Sequence, residues 1–163
     1  MKSYNSEEII NCLDKLGIIS GDILYVSSSL FQLGKMEDAH DKLSLCKNIY
    51  NAIMSVIGEN GTIIVPTFTP QTARYGKPFI LEETKTDTGI FSEFVRNLPN
   101  SVRSIHPISS VAAKGKYANK ICDNIPPGNW SMDSPSYRMY ELNAKSITIG
   151  ATRPLAAWGH LLE

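Results

Sequence analysis

Three short apolar segments, separated by stretches with helical periodicity, constrain the fold more than any other feature of the sequence. They are Ile23–Val26, Thr62–Val65 and Ser146–Ile149, and each is rich in β-branched residues, as buried strands usually are. Between the first two lies Lys42–Ile57, whose apolar residues recur at helical spacing. Strands that alternate with helices predict an α/β fold, with a mostly parallel central sheet flanked by helices.

Local signals place further elements around these segments. Asn5 and Glu8 form a capping pair at the start of a helix whose apolar positions run to Leu16. The polar stretch from Thr67 to Asp87 reads as a long loop, and loops of this length are usually functional. The remaining predicted elements are a strand near Ser110–Ala113 and helices at about Ile90–Leu98, Tyr117–Ile125 and Ser136–Leu142.

Composition narrows the class of protein. The chain has 163 residues, enough for one domain with a sizeable core, and its 16 basic residues balance 16 acidic ones. This balance disfavours nucleic acid and acidic membranes as partners. Three scattered cysteines, Cys12, Cys46 and Cys122, indicate reduced thiols rather than a disulfide framework or a metal site. Without a signal peptide or an apolar run of membrane-spanning length, we expect a cytoplasmic protein.

Hydroxyl-bearing residues follow the predicted strands. The segments are Ser27-Ser28-Ser29, Thr67-Phe68-Thr69 and Ala151-Thr152-Arg153. In parallel α/β sheets, ligands bind beyond the carboxyl ends of the strands. The pattern therefore predicts a polar ligand held there by neutral hydrogen bonds. A serine nucleophile is disfavoured, because no Gly-x-Ser-x-Gly elbow surrounds Ser27–Ser29.

His160 and Glu163 form the strongest candidate for acid–base chemistry. A helix starting near Pro154 would place them on one face, since residues three apart are neighbours on a helix surface. A carboxylate beside an imidazole raises its basicity and orients it, as a general base requires. The alternative is a solvated pair at the end of a helix.

Several segments, taken in order along the chain, resemble a known family. They are Gly21–Leu30 with Leu33-Gly34, Gly61–Thr69, Arg103–Pro107 with Ser109, Ser134-Pro135, and His160-x-x-Glu163. In this order they are similar to the aminoglycoside N(3)-acetyltransferases. The sequence departs from that pattern at Ser27, where the family usually has His, and at Ala157, where it usually has Thr.

The resemblance implies an acetyl-CoA-dependent N-acetyltransferase, either an antibiotic-resistance enzyme that acts on aminoglycosides or a biosynthetic enzyme that acts on a sugar precursor. The acetyl group would pass directly to an amine of an aminoglycoside or related amino sugar, with His160 as the base, Glu163 as its partner and no metal. The resemblance also implies that the serine segment and the loop from Arg103 to Ser109 lie near the coenzyme. The residues expected to bind it are Ser27, Ser28, Ser29, Leu30, Arg103, His106 and Ser109.

For two of these residues the sequence leaves two roles open. Arg103 could pair with a coenzyme phosphate, because its planar fork suits anions, or it could be an ordinary surface arginine. His106 precedes Pro107, which favours an extended conformation, and it could contact the coenzyme or cap a backbone carbonyl.

The resemblance also bears on domain organisation. We expect a single acetyltransferase-like domain over residues 1–163 that lacks the family's C-terminal part, because family members continue well past the His-x-x-Glu motif. A second hypothesis follows: a truncated, non-catalytic relative that binds CoA or acts as an interaction module. The sequence leaves the oligomeric state open.

Overall fold

The computed structural model describes residues 3–125 and 131–151, which contain both the helices and the strands of an α/β fold. In chain order the elements are β1 (Ser3–Tyr4), α1 (Ser6–Lys15), β2 (Ile23–Ser28), β3 (Lys35–Met36), α2 (Lys42–Ile57), β4 (Thr62–Pro66), α3 (Pro70–Arg74), α4 (Ile90–Arg96), β5 (Val102–Arg103), β6 (Val111–Gly115), α5 (Ala118–Cys122), α6 (Pro135–Glu141) and β7 (Lys145–Ile149). A turn of 3-10 helix at Leu30–Gln32 follows β2.

The central sheet has the order β5-β6-β4-β2-β7. β2 runs parallel to β4 and β7, whereas β6 runs antiparallel to β4 and β5. The α/β class is therefore confirmed, but two of these four pairings are antiparallel and the described sheet is mixed. The physical reason is the short return from β5 to β6, since residues 104–110 leave no room for the helical crossover that a parallel pair needs.

The sheet separates two apolar cores because successive strand residues point to opposite faces. On one face, Leu24 and Val26 pack with residues of α1, α2 and α4. On the other face, Tyr25 and Ile64 pack with residues of α5 and α6. The described chain is thus a three-layer α/β/α sandwich, and its loops lie beyond the two ends of the strands.

The helices begin where the capping signals predict. Asn5 and Glu8 form a complete capping box at the start of α1, and α2 spans the predicted Lys42–Ile57. The Ser134 hydroxyl accepts a hydrogen bond from the Tyr137 amide at 3.2 Å and caps α6. The sequence interpretation missed α3 within the polar stretch and the two-residue strands β1 and β3, which pair with each other. It also missed β5, so Arg103, predicted to lie in a loop, is the last residue of a strand.

The three cysteines lie in different environments. Cys12, Cys46 and Cys122 are free thiols, but Cys12 is exposed and only the other two are buried. Across residues 3–125 and 131–151, none of the helices has the length and apolar character that spanning a bilayer requires.

Candidate ligand site at the carboxyl edge of the sheet

The predicted polar strand ends meet at one edge of the sheet. In the parallel β2–β7 pair, Ser27 lies opposite Thr148 and Ser28 opposite Ile149. Because β6 is antiparallel to β4, its first residue, Val111, lies opposite Pro66 at the end of β4. The loop of residues 104–110 therefore reaches the same edge as the serine segment, although it belongs to an antiparallel hairpin.

Backbone contacts fix the serine segment, Ser27–Ser29, at this edge. The Ser29 amide donates to the Ile149 carbonyl at 2.8 Å, and the Ser29 carbonyl accepts from the Gln32 amide at 2.9 Å. Gly150 follows β7 with a φ of +75°, and a Cβ added there would lie 2.5 Å from the Ser29 carbonyl oxygen. Only glycine allows this close approach of two strand ends.

The side chains of the serine segment and of Leu30 have different environments. Ser27 is buried at 4% exposure, and its hydroxyl interacts with Tyr25, whose pKa is raised by burial. Ser28 and Ser29 are half-buried at the edge. Leu30 is only 8% exposed and packs in the core on the α2 face of the sheet. A ligand at this edge would therefore meet Ser28 and Ser29 before Ser27 or Leu30.

His106 is held in one orientation by its own loop. Its Nδ1 accepts hydrogen bonds from the Ile108 and Ser109 amides, both at 3.1 Å, and lies 3.2 Å from the Ser109 hydroxyl. Burial lowers the pKa of the ring and favours the neutral form. With Nδ1 accepting, the proton of the neutral ring sits on Nε2. His106 thus caps backbone amides, not the carbonyl considered from the sequence.

Threonine and serine hydroxyls join this loop to the end of β4. The Thr67 amide donates to the Ser110 carbonyl at 2.8 Å, and the Ser110 hydroxyl donates to the Thr67 carbonyl at 2.7 Å. The Thr69 hydroxyl donates to the Pro107 carbonyl. Thr69 is 1% exposed. The loop that carries His106 is therefore anchored to the strand that carries Thr67 and Thr69.

Arg103 lies beneath this edge with 8% exposure, so the surface-arginine alternative is wrong. Its Nη1 donates to the carbonyls of Leu81 at 3.0 Å and Thr84 at 2.6 Å, and its Nη2 donates to the Thr67 carbonyl at 2.9 Å. Nε lies 3.3 Å from the Thr67 and Ser110 hydroxyls. Burial lowers the pKa of Arg103 to about 10, so the guanidinium is still charged at neutral pH.

The structure places the serine segment and the loop that carries His106 and Ser109 at the same edge of the sheet, with Arg103 buried beneath that loop. His160 and Glu163 lie outside the described residues, as do Thr152 and Arg153 of the third predicted strand end. Sequence reasoning placed Ser110 at the start of a predicted strand but did not name it as a site residue, although a serine at a strand terminus could have signalled a polar strand end. Within the described ranges, no three His, Cys, Asp or Glu side chains are grouped closely enough to hold a metal ion.

An α/β sandwich with a polar ligand edge beyond its parallel strands is shared by many enzymes of small-molecule chemistry. Here the class is set by a family model, that of the aminoglycoside 3-N-acetyltransferases, which matches residues 25–163. The match covers most of the chain, and the chain belongs to this family.

Two relatives show how similar the chain is to named members. Aminoglycoside N(3)-acetyltransferase IV from a Salmonella species is 28% identical over 160 residues, which cover 98% of this chain and 59% of the relative. The SPbeta prophage-derived aminoglycoside N(3′)-acetyltransferase-like protein YokD of Bacillus subtilis is 26% identical over 179 residues, which cover 96% of this chain and 64% of the relative.

Solved structures agree with the fold. The apoenzyme of aminoglycoside acetyltransferase AAC(3)-IVa is 28% identical with a TM-score of 0.77, over 93% of this chain and 56% of that one. The AAC-IIIb binary complex with CoASH has a TM-score of 0.82 at 21% identity, over 98% of this chain and 64% of that one, and shows a shared fold. The chain spans less than two thirds of the length of each of these four relatives.

Proposed function

We propose that the chain carries an acetyl-CoA-dependent N-acetyltransferase site for an amino group of an aminoglycoside or related amino sugar. The observation that carries the proposal is the polar edge made by Ser28, Ser29 and the His106 loop in a chain of this family. Relatives support the ligand classes. AAC(3)-IVa, at 27–28% identity, has been solved with apramycin and with a gentamicin, and AAC-IIIb with CoASH.

The donors at this edge suit the coenzyme's pantetheine arm, which is neutral and amide-rich. Ser28 and Ser29 offer hydroxyls at the strand end, and His106 offers Nε2–H because its Nδ1 is already an acceptor. Ser27, Leu30 and Ser109 would shape the site from behind these donors. The proposal retains the cytoplasmic location and the absence of a resident metal that the sequence predicts.

For the chemistry, the proposal assigns the base to His160. The amine nitrogen attacks the thioester carbonyl carbon while His160 takes up the proton that the amine loses. The C–S bond then breaks, and the coenzyme leaves as a thiolate that is protonated to the free thiol. Glu163 would orient the imidazole and attract the cationic substrate. A positioned general base of this kind contributes about 10²–10⁴-fold to the rate.

The test is release of free thiol from acetyl-CoA by the purified 163-residue chain, measured with a panel of aminoglycosides and simple amino sugars. We expect amine-dependent release, reduced by about 10²–10⁴-fold in His160→Ala with an unchanged melting temperature. His40→Ala is the matched control, because His40 is an exposed histidine outside the site, and it should keep full activity. An unchanged rate in His160→Ala would remove His160 from the role of base.

The second candidate function is a non-catalytic relative that binds CoA or serves as an interaction module. Saturable CoA binding by calorimetry, without thiol release for any amine, would support this candidate. Steady-state turnover by the purified chain would exclude it.

A further inference from the structure

We propose that Arg103 is a positioning residue: its buried guanidinium fixes residues 79–88, here called the clasp segment, against the end of β4 and the His106 loop. The inference extends the proposed function, since the site that Arg103 would position is the coenzyme site proposed above. It replaces the expectation that Arg103 pairs with a coenzyme phosphate.

The hydrogen bonds of Arg103 point to this role. In the described part of the chain, no carboxylate oxygen lies within 4.0 Å of its guanidinium. The charge is met instead by the carbonyls of Leu81, Thr84 and Thr67, and the Phe79 ring lies 4.9 Å from the guanidinium carbon. A buried cation is costly unless its donors are satisfied. The five donors of arginine can satisfy carbonyls in several directions at once.

A second arginine holds the outer side of the clasp segment. Arg96 donates to the Glu82 carbonyl at 2.7 Å and pairs with both carboxylate oxygens of Glu93, at 2.7 and 3.0 Å. The Thr86 hydroxyl donates to the Phe68 carbonyl at 3.1 Å, and the Thr88 hydroxyl donates to the Pro66 carbonyl at 2.5 Å. The clasp segment is therefore tied to α4, to the end of β4 and to the residues that directly follow β4, and Arg103 makes the buried part of this attachment.

Arg103 alone among these anchors also reaches the loop of His106, through Ser110. Its Nε lies 3.3 Å from the Ser110 hydroxyl, which itself donates to the Thr67 carbonyl. Removing the guanidinium would leave three carbonyls without their charged donor and would loosen the clasp segment and the 104–110 loop together. The expected consequence is weaker binding of any ligand that rests on this loop, whether or not that ligand carries phosphates.

The first experiment is independent of catalysis: amide hydrogen exchange of the clasp segment in the free 163-residue protein. We expect Arg103→Gln to accelerate exchange across residues 79–88 by at least about tenfold, as the loss of hydrogen bonds to a charged group implies. Arg74→Gln, at an exposed arginine of α3, is the matched control and should leave exchange unchanged. Wild-type exchange rates in Arg103→Gln would overturn the inference.

The conservative variant keeps this test decisive if Arg103→Gln does not fold. Arg103→Lys keeps the charge but lacks the planar guanidinium group, so it cannot donate to all three carbonyls at once. We expect faster exchange of the clasp segment in this variant as well. If the clasp segment of Arg103→Lys were as protected from amide exchange as that of wild type, the role assigned to the guanidinium group would be contradicted.

The second experiment separates positioning from direct phosphate contact. Dissociation constants are measured by calorimetry for CoA and for pantetheine, which lacks phosphates, with wild type and Arg103→Gln. Positioning predicts that both ligands weaken by the same factor, about tenfold. A loss confined to CoA would identify a phosphate contact and overturn the inference. If wild type binds neither ligand, the proposed function fails, and the exchange experiment still decides the role of Arg103.

Discussion

At the residue scale, Gly150 shows how closely the strand ends must approach. We predict that Gly150→Ala lowers the free energy of unfolding by roughly 1–3 kcal/mol or more, because it adds a clash with the Ser29 carbonyl to an unfavourable φ of +75°. Gly76→Ala is the control, since Gly76 has a φ of +61° but no heavy atom within 4 Å of an added Cβ. Urea denaturation measures both variants, and equal losses would contradict the close approach.

The sequence predicted the polar strand end at Ser27–Ser29 but not the surroundings of Arg103. Ser27–Ser29 follow an apolar run, and a strand end of this kind is a local pattern. The acceptors of Arg103 are backbone carbonyls 19, 22 and 36 positions away in the chain. Every residue type carries such a carbonyl, so no side-chain pattern distinguishes the ones that meet a buried arginine.

At the element scale, the sequence predicted most accurately those elements whose signals lie within the element itself. The bounds of α2 were predicted correctly because its apolar periodicity lies within the helix itself. The direction of β6 could not be read from its apolar residues, because a buried strand has the same pattern in either direction. It depends on the hairpin of residues 104–110, and that hairpin brings His106 to the ligand edge.

Acid pH tests how α4 is joined to the clasp segment. Partial burial of Glu93 would raise its pKa, but hydrogen bonds from Arg96, the Thr86 amide and Asn97 outweigh this and lower it to about 2. A depressed carboxyl pKa stabilises the fold above the ordinary value of about 4.5, and this stabilisation is lost as the pH falls towards 2.

We therefore predict that Glu93→Gln is less stable than wild type at pH 7, by on the order of 2 kcal/mol, and that this difference shrinks between pH 4.5 and 2. Urea denaturation at several pH values measures it. Glu83→Gln, at an exposed carboxylate of the clasp segment, should leave stability at pH 7 unchanged. A difference for Glu93→Gln that stays constant down to pH 2 would contradict the ion pair.

At the scale of the whole molecule, one sheet shared by two cores predicts one cooperative unit. Ile63 and Ile64 are adjacent, fully buried, and packed in opposite cores. Each substitution by alanine should cost about 2–5 kcal/mol. Both should shift the same single transition, followed by far-ultraviolet circular dichroism and by the near-ultraviolet signal of buried tyrosines such as Tyr25. Separate transitions, with one variant affecting only one of them, would contradict the single domain expected from the sequence.

At the scale of the whole molecule, the proposed function also depends on where the coenzyme binds. The most direct measurement is hydrogen exchange of the 163-residue chain with and without saturating acetyl-CoA. We predict new protection at Ser28–Leu33 and at residues 104–110, and none at the opposite edge of the sheet, at Gly58–Gly61 and Lys114–Lys116. Protection at that opposite edge, or no protection anywhere at millimolar coenzyme, would contradict the claim that the carboxyl end of β2 and the loop of residues 104–110 form the coenzyme site.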